Sequence, residues 1–514
     1  MNYADLFRVT LPETALEVAA LLVLVVDLGF LRRASLKVRV AVAALLGILG
    51  CGAALWALFW STGSANVWGF GLTNSHELLL VSVFYVGAAQ TGILLLTAVT
   101  LTLLIGTSFT RHVGEYVAVV LMAAAGGLLV AGAQDLLVIF VGLELLSLGL
   151  YILTAFAKIS GKSAEAALKY YLFGGMSAAF LLFGFSYFYG LSGSTNLANI
   201  QRVIAASGPS PLFYVAWILV VAGLGFKIAV VPFHLWAPDT YEGAPAPAAA
   251  FIASVSKVAS FSLLISISLG WLRPGEGSGA WPQLAGTLMV LAAASMVVGN
   301  LAALAQTSVR RLLAYSAIAH AGYVLLGIAF MHGNLGQNGP SDFSRAALSS
   351  TFSSANAVLY YILTYGLTTI GAFGVVDVVQ RATGSDKLDA FLGLHKRNPA
   401  LAAVLLVLFL SLAGIPPLVG FWAKFNLFAA VLGVSAGPVP FALVALAVAF
   451  SAVSLYYYLQ VLKRAYVMPA ADETPIKAHP VALAVLVGIA AAVVLLGCFP
   501  ALLQSWIQGF YPVI

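Results

Sequence analysis

Along this chain the apolar residues come in long blocks, and polar residues collect in the short gaps between them. Fourteen blocks are long enough to cross roughly 30 Å of hydrocarbon. They fall at about 15–31, 38–60, 79–105, 113–132, 135–157, 164–191, 212–236, 247–270, 281–304, 309–331, 352–380, 399–433, 439–463 and 480–506. Lipid offers no hydrogen-bond partner, so each span must satisfy its own backbone, as a helix does. The pattern predicts an all-α polytopic membrane protein with about 14 transmembrane helices. The longest connections are Gly190–Pro211, Met331–Thr351 and Arg381–Pro399, and none has the length of a soluble domain.

Two spans carry their own interruptions. Gly225 to Lys257 reads GFKIAVVPFHLWAPDTYEGAPAPAAAFIASVSK, which sets Lys227, His234, Lys257 and four prolines in apolar surroundings. Pro232 has no N–H and clashes with the preceding turn, so the seventh helix is expected to be broken. The twelfth span reads GIPPLVGFWAKFNLF, with Pro416 and Pro417 ahead of Lys424. A faint repeat relates the two regions. The fifth span holds DLLVIFVGLE from Asp135 to Glu144, and the tenth holds RLLAYSAIAH from Arg311 to His320. Matching fifth to tenth and seventh to twelfth gives repeats of five spans. Five is odd, so the copies must be inverted in the membrane, an arrangement expected of ion transporters. The division is then residues 1–112 for three spans, 113–270 for the first five-helix repeat, 281–466 for the second, and 480–514 for the last span.

Composition agrees with this reading: the 514 residues are 62% hydrophobic and only 8% charged, with a mean hydropathy of +1.02. The formal charge of +6 does not mark a nucleic-acid surface, because the basic residues sit in short loops between spans. Sixteen of them fall on one side (Arg32, Arg33, Lys37, Arg39, Arg111, Lys158, Lys162, Arg310, Arg311, Arg381, Lys387, Lys396, Arg397, Lys463, Arg464 and Lys477) and four on the other (Arg8, Arg202, Arg273 and Arg345). By the positive-inside rule both termini are expected outside the cytoplasm. The N-terminal MNYADLF lacks a basic region, so no cleavable signal is expected. Cys51 and Cys498 lie in different spans and cannot hold an iron–sulfur cluster.

The remaining basic residues, Lys169, Lys227, Lys257 and Lys424, fall within spans, and Glu144 is the acid nearest a span centre. A charge in the bilayer costs a few kcal/mol or more and by default marks an ion pathway. Burial disfavours a lysine's charged form and a nearby carboxylate restores it. If Glu144 and Lys227 approach to about 7 Å, their attraction at an effective dielectric of about 20 is roughly 2.4 kcal/mol. Each group also has a plainer reading. Lys227 could be a fixed ion-pair partner, His320 could hydrogen-bond across helices, and Lys169 could snorkel to the surface. His234 follows the break and could line a water path or cap free carbonyls. Asp239 and Glu242, expected in a loop, could guide protons or serve as turn and capping residues. No nucleotide, metal or nucleophile motif is present.

PFHLWAPDTYEGAPAPAAAFIASVSK, SVRRLLAYSAIAHAGYVLLG and GIPPLVGFWAKFNLF closely resemble the antiporter-like membrane subunits of respiratory complex I, over about residues 110–465. The superfamily also includes Mrp-type cation/proton antiporters and membrane-bound hydrogenases. The lysine in the twelfth span matches one branch of it; another carries a glutamate there. The resemblance implies fourteen helices with two inverted five-helix repeats and broken seventh and twelfth helices. It implies a proton relay in which Glu144 tunes Lys227, Lys257 bridges, His320 is the polar link on a central water axis and Lys424 exchanges with the outside. Lys169 and His234 are further candidates. No cofactor is expected in this chain, with redox chemistry left to other subunits. The implied partners are antiporter-like neighbours, small membrane subunits, the lipid bilayer and protons, in a bacterial inner membrane. An Mrp-type antiporter subunit and a non-pumping structural spacer are the alternatives.

Overall fold

The computed structural model describes residues 7, 9–62, 69–71, 78–81, 85–107, 109–271, 281–331, 345–434, 437–470 and 473–509. Arg8, Arg273 and the connection at 332–344 lie outside these residues. The first span is α1 (Leu11–Val25), continued by a π-helical turn over Val26–Phe30, and the second is α2 (Leu36–Thr62). A short antiparallel hairpin follows, β1 (Gly69–Gly71) with β2 (Leu78–Val81), the one strand pair among the described residues. The third to sixth spans are α3 (Tyr85–Thr102), α4 (Val113–Gly132), α5 (Leu136–Thr154) and α6 (Gly161–Ser192). The connection after α6 contains a helix of its own, α7 (Leu197–Ser207). Asn196 caps it through the N–H groups of Ala198 and Asn199, and Gly208, at φ 75°, ends it.

The seventh span is split into α8 (Pro211–Ile228) and α9 (Trp236–Gly243), and the eighth into α10 (Ala246–Ala253) and α11 (Val255–Trp271). Then come α12 (Trp281–Leu304), α13 (Val309–Ala329) and α14 (Arg345–Thr383). A 3₁₀ turn (Leu388–Phe391) and α15 (Leu394–Arg397) fill the expected loop before the twelfth span. That span is α16 (Pro399–Ala413) and α17 (Val419–Val434); α18 (Pro438–Tyr466), α19 (Pro480–Cys498) and α20 (Pro500–Gln508) complete the chain. Among the described residues, twelve helices are long and apolar enough to cross a membrane. The first span, extended by its π turn, and the broken twelfth bring the described spans to fourteen.

The two breaks are built alike. α8 ends at Ala229 (φ 60°) and α16 at Gly414 (φ 90°), both left-handed. The following amide then reaches back to a carbonyl one turn up the helix, Val230 N to Gly225 O and Ile415 N to Leu410 O, each at 3.0 Å. A cis peptide precedes Pro232 in one and Pro417 in the other. α8 therefore stops at Ile228, ahead of the expected limit at 236, because Pro232 has no N–H for a further turn.

The fifth and tenth spans also start alike. Asp135 caps α5 and Ser308 caps α13, and each residue forms an isolated bridge to a later connection, Asp135 with Asn196 and Ser308 with Lys387. These caps correct the register read from the sequence. Counted from them, His320 stands level with Ser147, one turn beyond Glu144.

Candidate functional site

α8 presents Lys227 in its last turn, before the break, and packs along α6. Gly223 allows this close approach: a Cβ there would lie 2.7 Å from the Leu181 Cβ. The Lys227 ammonium donates to Ser147 Oγ and, at 3.5 Å, to Tyr151 Oη. It lies 5.5 Å from the Phe226 ring centre and 5.8 Å from that of Tyr151. Ser147 and Tyr151 share a helical face with Glu144, so the lysine reaches the helix that carries the carboxylate. The two charged groups form no ion pair among the described residues, yet Glu144 is close enough for its charge to act on Lys227. Glu144 is half-buried and borders an exposed apolar stripe of Leu137, Val141 and Leu148. Gly174 of α6 leaves room for the Tyr151 ring, which a side chain at 174 would strike.

Lys227, Lys257, His320 and Lys424 are each no more than 6% exposed. Lys257 of α11 donates to the Ala317 carbonyl of α13 at 2.6 Å and sits 5.8 Å from the Tyr365 ring centre. His320, one turn further along α13, joins Nδ1 to Tyr361 Oη at 2.7 Å and lies 4.7 Å from the Tyr365 ring. Tyr365 of α14 thus lies beside both groups. Lys424 of α17 donates to the carbonyls of Leu412 (3.0 Å) and Ala413 (2.9 Å) at the end of α16 and to Ser451 Oγ (2.8 Å). Its ammonium is 5.6 Å from the Tyr323 ring centre. Lys257 and Lys424 are both near enough to His320 for their charges to act on it. Each lysine is held by hydroxyls, carbonyls or aromatic faces, none by a carboxylate in direct contact. Groups held this way can give up a proton without leaving a bare buried anion behind.

The family described as NADH:quinone oxidoreductase/Mrp antiporter, transmembrane, matches residues 133–339 and 343–451. The chain belongs to this family. NADH-quinone oxidoreductase subunit N 2 of Acidobacterium capsulatum is 47% identical over 99% of both chains. Subunit N 1 of Roseiflexus castenholzii is 42% identical over 80% of this chain and 76% of its own. A chain of Thermus thermophilus respiratory complex I, solved with bound aureothin, superposes with a TM-score of 0.76 at 34% identity, covering 96% of this chain and 98% of that one. A chain of the Mrp complex from a Dietzia species has a TM-score of 0.76 at 22% identity, covering 97% and 96%, a likeness of fold alone. Glu144, Lys227, Lys257, His320 and Lys424 all lie inside the stretches matched to the NADH:quinone oxidoreductase/Mrp antiporter family.

Two further candidates stand apart in this member of the family. Lys169 belongs to a charged cluster at one rim, bonded to Asp239 (2.8 Å) and Glu165 (2.7 Å). It lies far enough along α6 for its stem to reach the rim, and does not join the buried lysines. His234 is buried after the break with its Nδ1 unpartnered, and neither it nor Lys169 contacts Lys227. Asp239 and Glu242, expected in a loop, lie on α9, because Trp236–Gly243 resumes the helix. Arg311 of α13 bridges them at 2.6 and 3.1 Å, and Lys162 takes Glu242 at 3.1 Å. A cavity of about 130 Å³ opens over this cluster.

Burial alone would raise the Asp239 carboxyl, but hydrogen bonds from Lys169 and Arg311 outweigh it and hold the group below the usual carboxylate range. Lys162 and Arg311 do the same for Glu242. The contribution to stability is therefore full above the ordinary carboxylate range and is lost as pH falls through these depressed values. Acid is expected to loosen α9 from α13. Hydrogen exchange over 236–243, corrected for intrinsic rates, should accelerate at low pH in the native chain and less so in Asp239→Asn; equal acid response in both would refute it.

Ser147, Tyr151, Tyr361, Tyr365 and Ser451 were not singled out by sequence. Ser147 and Tyr151 were findable by their helical spacing from Glu144. The tyrosines of α14 carried no such signal, since nothing local marks them as facing His320.

Proposed function

We propose that this chain is subunit N of a proton-translocating NADH-quinone oxidoreductase and carries protons through the middle of the membrane without a redox group of its own. The observation that carries this reading is the set of three buried lysines, Lys227, Lys257 and Lys424, each bonded to neutral oxygens. Neutral oxygens hold an ammonium without a contacting acid that would fix its charge in place, as a carrier requires. His320 stands among hydroxyls with Lys257 and Lys424 in electrostatic range. In this relay Glu144 sets the charge balance of Lys227, protonation passes by Lys257 and His320, and Lys424 exchanges with the far side. Quinone reduction elsewhere in the complex supplies the drive. The chain would lie in a bacterial inner membrane with both termini on the periplasmic side, among other membrane subunits of complex I and lipid.

The near-full-length identity to subunits N favours this over an Mrp-type antiporter. Purification with redox subunits bearing iron–sulfur signals supports complex I; a set of purely membrane chains supports the Mrp reading. Glu144→Gln tests the relay. In proteoliposomes holding the whole complex, the initial rate of quinone-coupled proton uptake is expected to fall by about tenfold, as about 1.4 kcal/mol of added barrier would produce. Unchanged uptake in a fully assembled Glu144→Gln complex would overturn the relay.

A further inference from the structure

The rim cavity of about 130 Å³ takes no part in the relay, and its walls suit a ligand that carries both signs of charge. Lys162, Glu165 and Lys169 of α6 line it, with Asp239 and Glu242 of α9 and Arg311 of α13. Three cations thus face three carboxylates. The bowl forms where α9 presses on α6: a Cβ at Gly243 would lie 2.5 Å from the Ala166 Cβ and 2.6 Å from the Lys162 carbonyl oxygen. One water needs roughly 10–15 Å³, so the space admits a polar group of several heavy atoms.

The ion pairs around it leave hydrogen-bonding capacity unused. Lys162 makes one bond, to Glu242 at 3.1 Å, and its side chain is 75% exposed, while an ammonium can donate more than once. Glu165 meets Lys169 through Oε1 alone and is 66% exposed. Arg311 spends Nη1 on Asp239 and Glu242 and Nε on Gln306, which leaves Nη2. Beyond the cavity the same face of α6 turns apolar. Residues 162, 165, 169, 172, 176, 180 and 183 follow at helical spacing, and the last four, Leu172, Met176, Phe180 and Phe183, are exposed. α6 has 32 residues, about 48 Å at roughly 1.5 Å each, more than the roughly 30 Å of a hydrocarbon layer. Charge is costly among lipid tails, so the first turns of α6 lie at the headgroups and the apolar stripe lies along the tails.

We propose that this cavity binds the headgroup of a phospholipid with a primary amine, of the phosphatidylethanolamine class, whose tails run along Leu172 and Met176. The phosphate takes the open donors of Lys162 and Arg311, and the ammonium donates to Glu165. A wall with equal numbers of both charges favours this headgroup over an anionic one, which the three carboxylates repel. A trimethylammonium headgroup of the phosphatidylcholine class matches the charge but has no N–H to donate. Once filled, the site ties α6, α9 and α13 together at the membrane surface. It is separate from the relay, and either can fail alone.

The test uses the assembled complex in nanodiscs of dioleoyl phosphatidylcholine with a trace of a probe lipid. The probe carries a diazirine in one tail and an ethanolamine, choline or glycerol headgroup. After illumination, peptide mass spectrometry measures labelling of residues 172–183. The ethanolamine probe is expected to label this stretch about tenfold more than either of the others. Lys162→Gln and Glu165→Gln, both at exposed positions, should each lower its labelling by about tenfold, the loss of one charge-assisted hydrogen bond. Assembly and labelling by the choline probe should stay as in the native complex. Equal labelling by all three probes would reduce the face to ordinary lipid contact and overturn the site, and preference for the glycerol probe would overturn its headgroup. Displacement of the label by glycerophosphoethanolamine, which has the headgroup without tails, would reassign the cavity to a soluble ligand. A cryo-EM map with another protein chain in the cavity would also overturn the proposal.

Discussion

Lys227→Met is expected to leave the complex assembled and to reduce coupled proton translocation by about tenfold or more. The substituted side chain has similar length and fills the space beneath Tyr151 and Phe226, so packing around the break is largely kept. What is lost is the buried ammonium beside α5, the group through which the Glu144 charge can act on the pathway. A carrier site that can no longer hold a proton leaves a gap in the row, and each 1.4 kcal/mol or so added to the crossing slows it about tenfold. The initial rate of quinone-coupled proton uptake by proteoliposomes, normalised to the amount of assembled complex, is the measurement. Wild-type uptake with full assembly would mean that Lys227 is structural.

Arg39→Ala is expected to destabilise the N-terminal helices by about 3–5 kcal/mol, the cost of leaving a buried charge without its partner. Asp27 lies in the π-helical turn after α1, and its side chain is 2% exposed. Arg39 of α2 holds both its oxygens, with Nε at 2.7 Å and Nη2 at 2.6 Å, and the Gly114 N–H of α4 donates a third bond at 3.1 Å. The carboxylate thus ties three spans together. Thermal unfolding of the purified complex, followed by release of this chain, should shift clearly downward. Adding Asp27→Asn in the same chain should recover much of the loss, because the stranded charge is gone. Equal stability of Arg39→Ala and the native chain would show that the pair contributes nothing.

Much of the fold was legible because membrane insertion imposes a strong local rule. A segment in lipid must be apolar and must satisfy its own backbone, so length and composition announce each span. Pro232, Pro416 and Pro417 likewise marked the breaks, since a missing N–H is a local fact. The starts of α7 and α9 were less visible. Asn196 and the resumed helix at Trp236 depend on capping and on a backbone redirected by residues upstream. The register of the repeat is hidden from the sequence for a related reason. DLLVIFVGLE and RLLAYSAIAH align by composition, whereas the capping hydrogen bonds of Asp135 and Ser308 fix the true starts.

The sequence by itself determined that this is a many-span helical membrane protein, where its helices break, and where along the spans its rare ionisable residues fall. Each follows from the cost of moving one side chain or one amide out of water, a quantity that neighbours in sequence already set. Only the tertiary structure decided the company those residues keep. It set Ser147 and Tyr151 against Lys227, Ala317 against Lys257, Tyr361 against His320 and the carbonyls of α16 against Lys424, and sent Lys169 to the rim. Hydrogen bonds between helices distant in the chain depend on how their faces are rotated toward one another, and packing of the whole bundle sets that rotation.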